Sequence, residues 1–328
     1  MKSNFILNDF IESDLLKTDL HVYEKDIIKH NKLLIEKIKD KTAIVIGGAG
    51  TIGSSYIKQL LKFKPKKLVV VDTNENGLTE LTRDLRSSEL MNYKPDYITY
   101  PVNLLSDTFD KIFKKNKFDI VTNFSAHKHV RSEKDAISVE ALIKNNVYGA
   151  IKLLRLCEQN NPEYFFSVST DKAANPVNIM GASKSLMEKL IISKKNNFRV
   201  STARFANVAF SNGSLLDGFI YRLNKKQPLS CPSDIKRFFV SPTQSGQICL
   251  LATFLGESGN IFFPKLDFNN DQIFFKDIAL DFLKRNSLVP FFADSPESAK
   301  SFNIKINPDK YPIYLFETDT SGEKTYEE

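Results

Sequence analysis

Residues 169 to 184 read STDKAANPVNIMGASK. Three groups that handle protons stand together at its front: the Thr170 hydroxyl, the Asp171 carboxylate and the Lys172 amine. A carboxyl and an amine side by side offer an acid and a base to one bound molecule. The competing reading of Asp-Lys after a strand is a solvated turn with a surface ion pair. At the back, Met180 and Lys184 lie four residues apart, a spacing that puts both on one face of a helix. A thioether has no titratable proton. Any acid–base work here therefore falls to the front end, where Ser169 supplies a second hydroxyl beside Thr170.

A second chemical signature is GGAGTIG, residues 47–53. It holds Gly48-x-Gly50-x-x-Gly53, and Gly47 adds a G-x-x-G-x-x-G spacing. The apolar run TAIVIGG (42–48) precedes it as a buried strand, and the helix SSYIKQLLKF follows, with Thr51 and Ile52 where that helix opens. Glycines there allow a tight turn and let backbone approach a pyrophosphate at the helix N-terminus. The next strand, KKLVVVDTN (66–74), brings Asp72 about 20 residues past the loop, where an acid is expected to bind both ribose hydroxyls. That carboxylate would repel a 2′-phosphate, so NAD is expected and NADP disfavoured. Arg83, the nearest arginine, lies too far along a helix to reverse this.

The elements that must position these residues follow in alternation. After NGLTELTRDLRSSEL as helix comes YITYPVN (97–103) as strand, then SDTFDKIFKK as helix and FDIVTNFSA (118–126) as strand. ALIKNNVYGAIKLLRLCEQN reads as one long helix, and YFFSVST (164–170) as the strand that delivers Ser169 and Thr170. Strand–helix alternation predicts a parallel sheet covered on both faces, the α/β, Rossmann-type doubly wound class. Residues 1–40 read as a helical leader (FILNDFIESDLL, then VYEKDIIKHNKLLIEKIK), of the kind that packs on its own domain or on a second subunit. Residues 41–210 form the predicted dinucleotide domain. From 211 to 328 the texture turns to Pro, Phe and short mixed segments, predicting a smaller mixed α/β substrate domain with possible returns to the sheet. The polar ending FETDTSGEKTYEE stops abruptly, as a truncated chain would.

Composition narrows the function classes. The chain has 328 residues, 42% hydrophobic and 26% charged, ordinary for a soluble globular protein. The net charge of +7 comes from dispersed lysines, which argues for a solvated surface, or a field drawing in a nucleotide, and against nucleic acid. No apolar run approaches the ~18 residues of a membrane helix. The first twenty residues mix acids into the apolar positions, unlike a secretory signal. Cys157, Cys231 and Cys249 are scattered, which fits a reducing cytoplasm and no metal site. His127 and His129 have no Cys or acidic cluster beside them, so no metal is expected there either.

Five stretches together carry a resemblance: AHKHVRSEKD (126–135), STDKAANPVNIMGASK, RFANVAFSNGS (204–214), KRFF (236–239) and GEKTYEE (322–328). They resemble the polysaccharide-biosynthesis branch of the extended short-chain dehydrogenase/reductases, the nucleotide-sugar 4,6-dehydratases that act on UDP-N-acetylglucosamine. The likeness runs over most of residues 42–328. It implies that Lys184 holds the nicotinamide ribose and that Met180 stands where a catalytic tyrosine usually lies. Relatives that invert C5 keep the tyrosine, so methionine implies the branch that retains C5 configuration, feeding bacillosamine- or legionaminic-type sugars.

The resemblance further implies Lys172 as the C5 base and Asp171 as acid to the C6 oxygen. In place of the tyrosine, Thr170 or Ser169 could bond the C4 hydroxyl and Asp171 accept its proton, with Asp171 and Thr170 the expected pair. It places Ser125, Ala126 and Asn103 at the cofactor, Asn103 standing where relatives often have an adenine-binding aspartate. Lys128 and His129 would line the sugar, although a plain basic loop is the local alternative. Asn207, after the RFA strand, would bind the phosphate or acetamido region, Ser214 would lie near the uridine, and Arg237 would pair with the pyrophosphate. Arg131 replaces a frequent proline. At least a homodimer through the Rossmann helices is implied, with a cytoplasmic location and no membrane insertion.

Two rivals remain open. An NAD-dependent UDP-sugar C4 epimerase needs the same fold and cofactor but normally the tyrosine. A non-catalytic dinucleotide-binding sensor explains Met180 but not the retained Asp171 and Lys172.

Overall fold

The computed structural model describes residues 5–16, 21–129, 133–265 and 271–318. Arg131 and the GEKTYEE stretch lie outside the described residues. The chain divides into two compact units. One is formed by His21–Phe205 and Pro242–Pro264, the other by the described parts of Met1–Leu20, Ala206–Ser241 and Lys265–Glu327.

The first unit is a seven-stranded sheet with every pairing parallel. Its strands are β1 (Thr42–Ile46), β2 (Lys67–Asp72), β3 (Asp96–Pro101), β4 (Ile120–Asn123), β5 (Tyr164–Val168), β6 (Arg199–Ala203) and the short Ile261–Phe262. Their spatial order is Ile261–Phe262, β6, β5, β4, β1, β2, β3. Strand order reverses between β1 and β4, the place in doubly wound sheets where ligands meet the carboxyl ends of the strands. The fold is the Rossmann type expected from the alternation.

Alternation along each strand explains the two layers. Ile44 and Ile46 of β1 join Val69, Val71, Val121, Phe165 and Val200 in one apolar core with Phe109, Phe113, Leu153, Leu154, Met187 and Ile191 from the helices on that face. On the sheet's other strand neighbours, helix Thr51–Leu61 packs closely on helix Pro242–Phe254. A Cβ added at Gly246 would lie 2.5 Å from the Ser55 carbonyl carbon, so only glycine permits this approach. Residues 242–264 thus belong with the sheet, as do helices Val22–Lys29 and Asn31–Ile38. Lys37 Nζ donates to the Phe254 carbonyl at 2.7 Å, and Leu34 and Ile38 are fully buried.

The second unit carries two three-stranded sheets. Asn207–Val208 and Gln272–Phe274 flank Lys236–Val240, the first parallel to it and the second antiparallel. Lys310–Phe316 lies between Val289–Ala293 and Leu229–Pro232, both parallel to it. Its core gathers Phe210, Phe219, Phe239, Phe275 and Phe282, with Phe10, Ile11 and Leu15 from the start of the chain.

Three local readings need correction. The long helix expected over 141–160 begins at Ala136, and its middle, Lys144–Tyr148, is π-helical before Gly149–Asn160 resumes the α-helix. Such bulges set a side chain at an angle a regular helix would not give it. The strand expected to include Ser169 and Thr170 stops at Val168, although Ser169 N still donates to the Ala203 carbonyl at 2.8 Å. Residues 204–206 are not a strand. Arg204 N donates to the Phe262 carbonyl, and at Asn207 the chain joins the other sheet, pairing with Phe239.

Candidate active site

The glycine loop sits at the end of β1. Gly47 has φ +75°, and a Cβ there would meet Ser125 N at 2.5 Å, so the loop presses on the segment after β4. A Cβ at Gly53 would lie 2.3 Å from the Gly47 oxygen, which closes the turn onto helix Thr51–Leu61. Gly50 differs: a Cβ there would meet only the Gly47 oxygen, at 3.5 Å. It caps the helix in extended conformation with no side chain bonded to the first turn. The first turn of this helix, which includes Thr51 and Ile52 and takes no side-chain cap from Gly50, suits a phosphate. Asp72, closing β2, ties this loop down. Its Oδ2 accepts from Ala49 N and its Oδ1 from Asn74 N, both at 2.9 Å. Each carboxylate oxygen keeps a further lone pair for a ribose hydroxyl. These residues fit a dinucleotide. Asn103, after β3, is exposed, and its Oδ1 accepts from Leu105 N at 2.8 Å, turning the chain there.

At the end of β4, Asn123 is buried and organises the turn that follows. Its Oδ1 accepts from Ser125 N at 3.1 Å and Ser125 Oγ at 2.6 Å, while its Nδ2 donates to Ser167 Oγ on β5 at 3.1 Å. Ala126 follows. Asn146, from the π-helical segment, then fixes the path of His127. Its Oδ1 accepts from His127 N at 2.9 Å, and its Nδ2 donates to the His127 carbonyl and to Ser183 Oγ, each at 3.0 Å. Lys128 and His129 are exposed on the segment so held.

The expected proton-handling trio forms one cluster. Thr170 Oγ1 donates to Asp171 Oδ1 at 2.7 Å, and Lys172 donates to the same oxygen from its backbone N at 2.8 Å and from Nζ at 3.1 Å. The Asp171 and Lys172 side chains are only 12% and 18% exposed, which disfavours the solvated surface pair. The cluster is a 3-10 turn, Asp171–Ala173, packed on helix Ile179–Ile192. Gly181 makes that contact possible, because a Cβ there would lie 2.4 Å from the Lys172 carbonyl oxygen.

That helix is capped twice. Asn178 Oδ1 accepts from Gly181 N at 2.8 Å, and Glu133 accepts from Met180 N at 2.6 Å and Ile179 N at 3.1 Å. Met180 is buried. Lys184, one turn on, is also buried, with Nζ donating to the Val168 carbonyl at 3.1 Å and 3.8 Å from Met187 Sδ. Burial pushes its pKa down to about 8, opposed by the negative charge of Glu188. Ser169 Oγ is buried and has no hydrogen-bond partner.

The sequence reading missed Asn123, Asn146, Ser183 and Glu133. Only Asn146 left a signal there: an asparagine pair in an otherwise apolar helical stretch. The remaining expected substrate contacts lie in the second unit. Asn207 opens its short strand, Ser214 Oγ accepts from Asp217 N at 3.2 Å as a helix cap, and Arg237 is buried with one guanidinium nitrogen donating to the Lys236 carbonyl at 2.8 Å. Among the described residues no group of His, Cys, Asp and Glu could hold a metal ion, and no helix is long and apolar enough to cross a membrane.

A family model described as Polysaccharide biosynthesis protein matches residues 43–286, from β1 through the second unit's helix Phe275–Arg285. The chain belongs to this family. Among its relatives, an uncharacterized membrane protein of Methanocaldococcus jannaschii is 33% identical over 88% of this chain and 80% of its own. An inverting UDP-N-acetylglucosamine 4,6-dehydratase of Campylobacter jejuni is 30% identical over 69% of this chain and 67% of its own. A UDP-glucose 4-epimerase of Rickettsia bellii is 30% identical over 76% of this chain and 73% of its own. Some family members are longer: the match to Bacillus subtilis EpsC covers 38% of that protein. The solved structure of Pen from Bacillus thuringiensis superposes with TM-score 0.71 at 22% identity, covering 88% of this chain and 81% of that one, and supports the fold.

Proposed function

We propose that this protein is an NAD-dependent 4,6-dehydratase of UDP-N-acetylglucosamine that retains C5 configuration. The observation carrying this reading is the Thr170–Asp171–Lys172 cluster at the end of β5, one helix packing away from a buried Met180. The group that a C4 epimerase would use is absent at Met180, and an acid–base pair a dehydratase needs is assembled beside it. Lys184, Asp72 and the Gly47–Gly53 turn are the proposed dinucleotide contacts, and Asp72 favours NAD over NADP. Asn207, Ser214, Arg237, Lys128 and His129 are the proposed nucleotide-sugar contacts, resting on the resemblance.

When bound, NAD supplies the hydride acceptor at C4 and the hydride donor at C6. The protein moves the protons. Asp171, reached through the Thr170 hydroxyl, takes the C4 hydroxyl proton as C4 is oxidised. The new ketone acidifies the C5 proton, which Lys172 removes as the base. Asp171 returns its proton to the C6 oxygen, which leaves as water. Lys172 then reprotonates C5. Each group ends the turnover in its starting state. Retention requires C5 to be reprotonated on the face its proton left, as a single lysine on one side of the ring provides, its amine protons exchanging with solvent.

Incubation of the purified protein with UDP-N-acetylglucosamine, followed by mass spectrometry, tests the reading. Loss of one water from the sugar nucleotide supports it. An unchanged mass with a C4 epimer by NMR supports the epimerase, and no conversion with NAD bound supports a sensor.

A further inference from the structure

Lys184 has one charged neighbour on its own helix, Glu188, a turn further on and buried. Glu188 is not left to face the lysine alone. Arg204 grips it with both prongs, Nε donating to Oε1 at 2.8 Å and Nη2 to Oε2 at 2.5 Å. The arginine is fixed by the sheet, since its backbone N donates to the Phe262 carbonyl at 2.7 Å, just past β6. The Lys184 ammonium, with three protons to donate, has the Val168 carbonyl and the Met187 sulfur.

The other charged groups on this helix and on the elements packed against it are exposed or held by other partners: Arg155 and Lys189 are exposed, and Arg199 lies over the Tyr164 ring. Asp171 pairs with Lys172, Glu158 with Lys194, Lys152 with Asp110 and Lys144 with Glu140, while Glu133 caps the helix start. Glu188 is therefore the carboxylate that bears on Lys184, and Arg204 decides how much of its charge Lys184 feels.

We propose that Glu188, clamped by Arg204, is a positioning residue that sets the protonation state of Lys184. The clamp does two things. It aligns the helix with the sheet edge, and it diverts negative charge from a lysine that would otherwise take Glu188 as its own ion partner. The lysine is left poised to lose its proton near neutral pH, by burial first, with Glu188 acting against it. Extending this to dinucleotide binding rests on the reading of Lys184 as the ribose lysine.

The test is a titration of the Lys184 ε-carbon by 13C NMR on the full chain, assigned against Lys184→Arg, with NAD affinity measured by calorimetry over the same pH range. Glu188→Gln removes the supporting charge and is expected to lower the Lys184 midpoint by about one unit. Arg204→Gln frees Glu188 and is expected to raise it by a similar amount, and Arg204→Lys is expected to restore the native midpoint. A merely structural pair would move both single variants the same way or neither, and that result overturns the proposal. Where a single variant fails to fold, the Glu188→Gln/Arg204→Gln double variant keeps a neutral hydrogen-bonded pair. Its midpoint is expected above that of Glu188→Gln and below that of Arg204→Gln, so comparison with whichever single variant folds decides, and the opposite order counts against the proposal. If the NMR midpoints separate but NAD affinity does not follow them, the clamp stands and the ribose-lysine reading falls.

Discussion

Lys172 and Asp171, neighbours in sequence, are joined twice: the Lys172 backbone N–H and its side-chain ammonium both donate to Asp171 Oδ1, at 2.8 and 3.1 Å. The backbone bond fixes the carboxylate, and the side-chain bond places the amine against it. An acid and a base held this way can serve adjacent carbons of one sugar. Lys172→Ala is expected to lower the dehydration rate by about 10²–10⁴-fold while NAD affinity is unchanged. Asp171→Asn is expected to do the same. Steady-state kinetics beside calorimetric NAD binding checks both, and substantial residual turnover in Lys172→Ala removes it from the proton chemistry.

Met180 is expected to behave as a packing residue. It is buried, and its backbone N–H, not its side chain, meets Glu133. Met180→Leu conserves volume and is expected to cost less than about 1.5 kcal/mol of stability, whereas Met180→Ala leaves a cavity worth about 2–5 kcal/mol. Turnover by either variant, measured well below its melting temperature, is expected to stay within about tenfold of the native rate, far above Asp171→Asn or Lys172→Ala. A collapse in Met180→Leu turnover would show that the thioether has a chemical role.

Lys184 is expected to cost the fold stability at neutral pH. Its pKa in the folded chain lies near 8, below the ordinary 10.5, because of burial and despite Glu188. Below pH 8 the group is charged in both states, and the buried charge is penalised in the folded one. Between about pH 8 and 10.5 the folded chain sheds the proton while the unfolded chain keeps it, so this penalty is relieved as pH rises, by up to about 3 kcal/mol. Urea unfolding of native protein and Lys184→Met at several pH values measures the difference. The variant is expected to be the more stable at pH 7, with its advantage shrinking above pH 8, and to bind NAD weakly. An advantage that does not change with pH contradicts the assignment.

Asn146 is expected to matter beyond its size. Its amide joins the His127 backbone to Ser183 on the helix that carries Lys184. Asn146→Ala removes the partner of the His127 N–H and carbonyl and of the buried Ser183 hydroxyl, at about 1–3 kcal/mol. Thermal melting is expected to fall, and Asn146→Asp, which keeps the acceptor for His127 N, is expected to fall less. Equal losses in the two variants would show that the His127 N contact contributes little.

The sheet was legible because parallel strands buried on both faces read as near-continuous apolar runs. TAIVI and KLVVVD became β1 and β2 within a residue or two. The glycine loop was legible because its spacing follows from the turn itself. The Thr170–Asp171–Lys172 cluster could be suspected from adjacency, but adjacency did not show that three donors converge on one Asp171 oxygen. What stayed hidden was long-range. Glu133 reaches Met180 across 47 positions and Asn123 reaches Ser167 across 44, and no local pattern encodes such partners. The π-helical turn at Lys144–Tyr148 was hidden because its apolar periodicity is that of an ordinary helix to within a residue. The end of β6 was misread because RFA is as apolar as a strand while its backbone partners lie in different places, Phe262 for Arg204 and Phe239 for Asn207.

The most direct measurement is the reaction run on UDP-N-acetylglucosamine in deuterated water, with the product read by NMR. The account predicts a 4-keto-6-deoxy sugar nucleotide with one deuterium at C5 and the configuration of that carbon unchanged. A product that keeps its C6 hydroxyl, or none at all from protein that binds NAD, would contradict it.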